Sequence, residues 1–330
     1  MIKSGKAVFI GFTIVMILLC GAFMFNDVIG KRVLEPDINS SKNSDHIKNS
    51  FKIGDYILFG KYNNERILWR VINIDETGSP LLFMENVITI KSYDSGGAAH
   101  KNPDRVKFGS NYWENSNIRQ WLNADNQISQ WMQNPPSNEN VFESSNSYDK
   151  EPGFLCDNNF SPEEKKLIVK KTNRVLLSKT EIGMKMSGNK LLKSVRNLET
   201  AYKNYDDAYY MEVSDKVRLI SIKELYEYVY KRGYNTYRKP TEQALEQNTA
   251  KGMNLTTNDY CAYWLRDPDA ESSYQAYTAY WDLELTSHYG TYFGRQGIAA
   301  CLNLDQNTVA SSGTGDYNNP YSVTEKVPGE

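Results

Sequence analysis

Histidine and cysteine are scarce in this chain, with 3 and 4 among 330 residues. The histidines, His46, His100 and His288, stand far apart, and none belongs to an H-E-x-x-H pair, which excludes a helix-borne zinc site of that type. There is no C-x-x-C, so a zinc ribbon is excluded as well. No G-x-S-x-G elbow and no phosphate-cradling glycine loop occur, which removes two common enzyme signatures. Cys156, His288 and an asparagine follow the chain order of papain-like proteases, but the flanking residues do not match that motif. Charge of one sign is also lacking. With 38 Lys and Arg against 40 Asp and Glu the net charge is -2, and a nucleic-acid partner, which needs a concentrated basic face, is not expected. No metal or cofactor is expected either.

One long apolar run is present. Ala7 to Phe25 carries no charge and follows Lys3 and Lys6. As a helix it would span roughly 28 Å, close to the hydrocarbon thickness of a bilayer. It lacks a small-x-small cleavage site, and Leu19 stands before Cys20 where a lipoprotein signal wants a small residue. The reading is therefore a retained single-pass anchor, with a cleaved signal or a lipoprotein as alternatives. Residues 1–6 form the short cytoplasmic end, 7–25 the anchor and 26–50 a polar stalk. One extracytoplasmic domain is expected over 51–305, and a disordered tail over 306–330. The expected localisation is the cell membrane, with the bulk of the chain outside.

The body opens with alternating apolar residues at 51–60, 67–74 and 81–90, which predict an antiparallel meander. Ser116 should cap a helix that presents Ile118, Trp121 and Leu122 on one face. Ser161-Pro162-Glu163-Glu164 is a capping box for a helix to about Lys170, followed by a strand over 172–177. A strand at 216–220 leads to a second box, Ser221 to Glu224, with Gly233 as the stop of its helix. Strands are expected at 262–266, 274–285, 289–293 and 298–304. Cys261 and Cys301 could pair if their strands are neighbours; the plainer reading is that Cys156, Cys261 and Cys301 are buried apolar side chains.

Aromatic residues are abundant: 23 Tyr, 12 Phe and 6 Trp. The stretch Ala262-Tyr263-Trp264-Leu265-Arg266-Asp267-Pro268 sets bulky rings beside a guanidinium, and Tyr274, Tyr277, Tyr280, Trp281, Tyr289 and Tyr292 follow it. Sugars stack on such rings while polar groups take their hydroxyls. Alternation in a sheet, however, would bury about half of them. The candidate ligand-binding residues are Arg266, Asp267, Tyr277, Trp281 and Tyr292. Arg266 needs a carboxylate or carbonyls if it is buried, so structural pairing competes with ligand contact. Asp267, Asp269 and Glu271 could hold calcium, although acidic loops are more often simply solvated.

Several blocks resemble a family of uncharacterised bacterial extracytoplasmic domains. They are Gly54 to Tyr62 with Ile67 to Ile72 (G-D-Y-I-x-F-G-x-Y and I-x-W-R-V-I), Ser116 to Asn123 (S-x-I-R-x-W-L-N) and Phe160 to Lys165. Asp215 to Glu224, Trp264 to Pro268 (W-L-R-S-P, with Asp267 for Ser) and Gly297 to Leu304 complete the series. The last block matches G-V-R-P-A-L-x-L, but Ala299 and Ala300 replace Arg and Pro, so no role of that arginine transfers. The pattern is in turn similar to the C-type-lectin-like fold of formylglycine-generating enzymes. Their copper-dependent oxidase activity does not follow, because it needs two closely spaced cysteines. The chain as a whole reads as an α+β fold, mainly antiparallel sheet with a few short helices, behind one transmembrane helix; the resemblance adds a C-type-lectin-like fold as its form. The expected role is a ligand-binding or interaction module of a bacterial cell surface, with a cell-wall glycan or a surface protein as partner. The alternative is an enzyme of the lectin-like class, or a hydrolase with an unrecognised site. Fractionation of cells should leave the chain with the membrane; recovery as a cytosolic protein would overturn this reading.

Overall fold

Two larger sheets and three two-stranded ones, among them Lys171–Leu176 with Tyr210–Asp215, occur among the described residues, and the chain passes between the larger two at two points. A computed structural model describes residues 51–125, 129–143, 146–247, 254–280, 283–286 and 290–326. The first sheet runs Tyr56–Tyr62, Glu65–Ile74, Pro80–Met84, Ala300–Leu304 and Ile168–Val169, and Val217–Leu219 also pairs with Ala300–Leu304. The second runs Leu285–Thr286, Ala276–Ala279, Tyr263–Pro268, Gln296–Ile298 and Thr89–Lys91. Among the described residues the pairings between strands are antiparallel, except Tyr263 with Gly297 in the second sheet and the small Lys239–Pro240 to Asn86–Val87 pair. The fold is α+β, with mostly antiparallel sheet and short helices.

The third expected strand, 81–90, breaks at Glu85. Pro80–Met84 belongs to the first sheet and Thr89–Lys91 to the second. The expected 298–304 strand divides in the same way at Ala299, into Gln296–Ile298 and Ala300–Leu304. A continuous apolar run looks like one strand because periodicity records burial and not which sheet does the burying.

The helix signals are read well at their starts. Ser116, Ser161 and Ser221 cap Asn117–Asn123, Pro162–Leu167 and Ile222–Glu224, the last two with both arms of the capping box. Their ends differ from expectation. The second helix stops at Leu167, not near Lys170, because Ile168–Val169 is drawn into the sheet beside Leu304 and Asn303. The third continues as a wide π turn over Leu225–Val229 and a 3-10 turn to Arg232, then stops at Gly233 (φ 76°). Leu225, Tyr226 and Val229 are buried on that turn, and Tyr228 packs partly against the core. The tail expected to be disordered instead forms a hairpin, Thr308–Ser312 with Ser322–Glu325. Its β-branched Thr308, Val309, Val323 and Thr324 suit strands, and Tyr321 bonds the backbone of Tyr56 and Leu58. Of the strand expected over 289–293, residues 290–293 are described, and they form a loop bridged to its neighbours.

Trp121 is wholly enclosed, with its ring 5.0 Å from the Lys91 ammonium and its indole N–H donated to the Pro152 carbonyl. Lys91 is itself fully buried; it pairs with Glu151 at 2.5 Å and also lies over Tyr148. Trp121 is thus a packing residue. Cys156, Cys261 and Cys301 are buried and free.

The sheets are joined by a charged cluster. Glu224 receives Arg218 Nη2 at 2.5 Å from the first sheet and Arg266 Nη2 at 3.4 Å from the second. The same carboxylate accepts the Ser221 amide that caps its helix. Arg266 further donates to the carbonyls of Leu219 and Arg174. Burial works against the charged form of Glu224, but Arg218 and then Arg266 outweigh it and bring its pKa down to about 2. Asp267, on the opposite face of the strand, accepts from the Tyr205 hydroxyl and the Ile222 amide. There burial wins over Arg266, and its pKa is pushed up to about 6.

Glu224 therefore stabilises the fold above its ordinary value of 4.5, and that contribution is lost as pH falls toward 2. Asp267 has the opposite sign: stability present below 3.8 is lost as pH rises through about 6. Glu224→Gln leaves two buried guanidinium groups without a counter-charge and should cost about 3–5 kcal/mol. That corresponds to a melting temperature lower by roughly 6–20 °C for a domain of this size. Thermal melts between pH 2 and 7 should also show the acid-side loss flattened in this variant. An unchanged melting curve would refute the role of the cluster.

Candidate functional site

The five sequence candidates fall in three places. Arg266, Asp267 and Tyr277 lie inside the fold, at 2%, 0% and 0% exposure. Arg266 and Asp267 are held by the partners named above, and the Tyr277 hydroxyl accepts the Val195 amide at 3.1 Å. Their polar groups meet protein, so in this structure they act in packing. Trp281 lies outside the described residues, as do the Ala7 to Phe25 run, the stalk, Tyr289 and His288. Among the described residues no helix is long and apolar enough to cross a membrane. Of the proposed calcium trio, Asp267 is sealed in the core, and Asp269 takes the Ser194 hydroxyl at 2.7 Å and the Glu271 amide.

Tyr292 is different. It is half-buried and belongs to an aromatic surface with Phe108, Phe142, Tyr274 and Phe293. Phe142 stacks on Tyr292 with centroids 5.4 Å apart and planes 20° apart, and 43% of Phe142 is exposed. Phe108 packs edge-on to Tyr292 at 5.6 Å and lies 4.7 Å from Tyr274. Phe293 meets Phe142 at 5.3 Å. At the rim, Arg295 lies 5.9 Å from the Phe293 ring and 2.8 Å from the Glu143 carboxylate. Glu143 takes a left-handed φ of 49°, uncommon for a residue with a side chain.

These rings come from four separate segments, and one loop holds them together. Tyr292 N–H donates to Phe108 O, Phe142 N–H to Tyr292 O, Gly294 N–H to Phe142 O and Thr291 N–H to Tyr274 O. The bonds are 2.9–3.0 Å long, so the spacing of the rings is set by the backbone. Phe108 ends the helix Pro103–Phe108, which Asn102 caps and Gly109 closes at φ 78°. A Cβ at Gly109 would come 2.6 Å from both the Asp94 carbonyl and Thr291 Oγ1. At Gly290 it would crowd Phe108 and Tyr292 at 3.0–3.1 Å. Glycine at both points is what lets the loop and the helix end approach so closely.

Beneath the surface lies a buried pair, Asp94 and His100. Asp94 accepts the amides of Ser110 and Asn117, and His100 Nε2 lies 3.3 Å from its carboxylate while donating to the Ser95 carbonyl at 2.9 Å. Burial pulls the His100 pKa down, but the Asp94 hydrogen bond and charge more than reverse this, and the net shift is upward. Asp94 is raised as well, chiefly by burial.

Sequence reading found Tyr292 and, within the wider aromatic set, Tyr274. It missed Phe108, Phe142 and Phe293. The Asn102-Pro103 start and the Phe108-Gly109 stop were a legible helix signal. Nothing local marks Phe142, which reaches the surface only because residues 290–294 fold against it.

A model of the family described as Domain of unknown function (DUF6273) matches residues 77–306, well over half of the chain, and the chain belongs to that family. No curated protein and no solved structure matches it.

A group whose pKa is raised on folding stabilises below its unfolded value and ceases to do so as pH rises through the folded one. His100 and Asp94 share that sign. Melting temperature should therefore decline as pH rises from below 6.5 through the raised histidine value, and His100→Gln should reduce that decline. Equal slopes for the two proteins would remove His100 from the account.

Proposed function

We propose that this DUF6273 member is a membrane-tethered, extracytoplasmic binding module that takes a saccharide ligand on the aromatic surface around Tyr292, with a cell-wall glycan as its source. The observation that carries the reading is the Phe142–Tyr292 stack, held by backbone hydrogen bonds between four segments and rimmed by the Arg295–Glu143 pair. Flat apolar rings suit the C–H faces of a sugar, and the charged rim suits its hydroxyls. Rings already fixed before binding lose little conformational freedom when a ligand docks. The tether and the compartment rest on the Ala7 to Phe25 run and on the resemblance of the blocks from Gly54 to Leu304. The rival, an enzyme, calls for perturbed acids and bases converging on an open cleft. Asp267 and Glu224, two strongly shifted carboxyls, have protein partners instead.

Co-sedimentation with insoluble wall glycan tests the idea. Tyr292→Ala and Phe142→Ala should each weaken binding about 3- to 10-fold, the equivalent of ~0.7–1.4 kcal/mol for one lost aromatic contact. Trp281→Ala offers the same test for the one sequence candidate outside the described residues. Absence of binding by the parent protein, or full binding by Tyr292→Ala, would reject the proposal.

A further inference from the structure

A second concavity lies away from the aromatic surface and shares no residue with it. It encloses about 240 Å³ between the helix Asn117–Asn123, the segment around Lys165 to Lys170, and the turn at Ser214 to Lys216. That is below the ~300 Å³ of pockets that take drug-sized ligands, so it suits a small group. Among the described residues, Arg119, Lys165, Lys170 and Lys216 line it, and Asp125 is the one carboxylate beside them.

The cations differ in how they are compensated. Arg119 is fixed in the wall by Asp215 at 2.6 Å and by the Glu114 carbonyl at 2.7 Å. Lys165 has Asp157 at 2.5 Å, itself largely in solvent. Lys170 and Lys216 have no carboxylate within ion-pair distance among the described residues, and both are exposed. Lys216 is nonetheless held in place, because its backbone N–H donates to Asn123 Oδ1 at 2.8 Å. Leu155 and Ile168 give the cleft an apolar side that excludes water from part of it. Like charges gathered in a concavity repel one another, and a small bound anion relieves that repulsion.

We infer that this cleft binds a phosphate mono- or diester group, with Lys170 and Lys216 as its contacts and Arg119 supplying fixed positive charge behind them. A phosphate group can meet two separate ammonium groups at once, because its unesterified oxygens are spread tetrahedrally about phosphorus. The group could belong to a soluble phosphodiester polymer or to an anionic lipid headgroup, and the experiment separates these sources.

Purified full-length protein in neutral detergent is titrated calorimetrically with inorganic phosphate, with glycerophosphoglycerol, and with micelles doped with phosphatidylglycerol. Saturable binding that weakens as salt is raised is expected. Lys170→Glu combined with Lys216→Glu should reduce it at least about tenfold while leaving the melting temperature in place, because both side chains are exposed and neither has an ion-pair partner among the described residues. Binding of the soluble diester assigns the site to a polymer; binding confined to doped micelles assigns it to a headgroup. No saturable binding of any of the three, or equal binding by the double variant, would overturn the inference. Tyr292→Ala should leave phosphate binding unchanged, so failure of the glycan reading and failure of this one are told apart.

Discussion

The fold depends on a single carboxylate shared by two guanidinium groups. Glu224 sits where the first sheet, through Arg218, and the second, through Arg266, come within reach of one side chain. It also closes the first turn of the helix that follows Ser221. A capping glutamate at a surface helix is worth a fraction of a kcal/mol to about 2 kcal/mol. Here the same residue cannot be removed without stranding two buried charges, a far larger penalty. Arg218 has the shorter contact, and Arg266 has three longer ones of 3.3–3.4 Å, so Arg266 depends on the sum of its partners. A cluster of this kind fixes which strands meet, because any other register would leave a charge unpaired inside.

That cluster explains why the Tyr263–Pro268 strand looks functional and is built as core. All six of its residues are buried, since the strand is central in its sheet and covered on both faces. Aromatic residues and an arginine in sequence are compatible with a binding rib or with a packed strand bearing one internal ion pair. The difference is made by residues far away, Glu224 and Arg174, that no local pattern connects to Arg266. The surface with exposed rings is assembled elsewhere, where a loop held by Thr291 gathers Phe108, Phe142 and Tyr274 around Tyr292.

Legibility in the sequence followed the range of the interaction. Caps were readable because Ser116, Ser161 and Ser221 each accept the amide three residues on. Alternation located the opening meander and the strand after Lys170 for the same reason. The two crossings between sheets, at Glu85 and Ala299, were not readable, since a run buried by one sheet and then by another has the composition of one strand. The terminal hairpin was missed because its polar Ser and Thr residues suggest a solvated tail, while its stability comes from Tyr321 pairing with the backbone of Tyr56 and Leu58. For the candidate site, Tyr292 was legible as an aromatic after a turn. Phe142 was not, because its neighbour in space lies 150 positions away in the chain.

The groups that hold the fold and the two proposed sites thereby lie in different parts of the molecule. Ring and lysine side chains at the two proposed sites lie at the surface, whereas the groups that resist unfolding are enclosed. Most surface substitutions cost little, so the rings and lysines can vary without loss of the fold. The positions beneath them are less free. Gly109 and Gly290 have backbone or ring atoms within 2.6–3.1 Å of where a Cβ would go, and Asp94 holds the Ser110 and Asn117 amides behind them. A member of the family that keeps these three while changing Phe142 and Tyr292 would carry a different surface on the same platform. One that changes them must carry its rings on another scaffold.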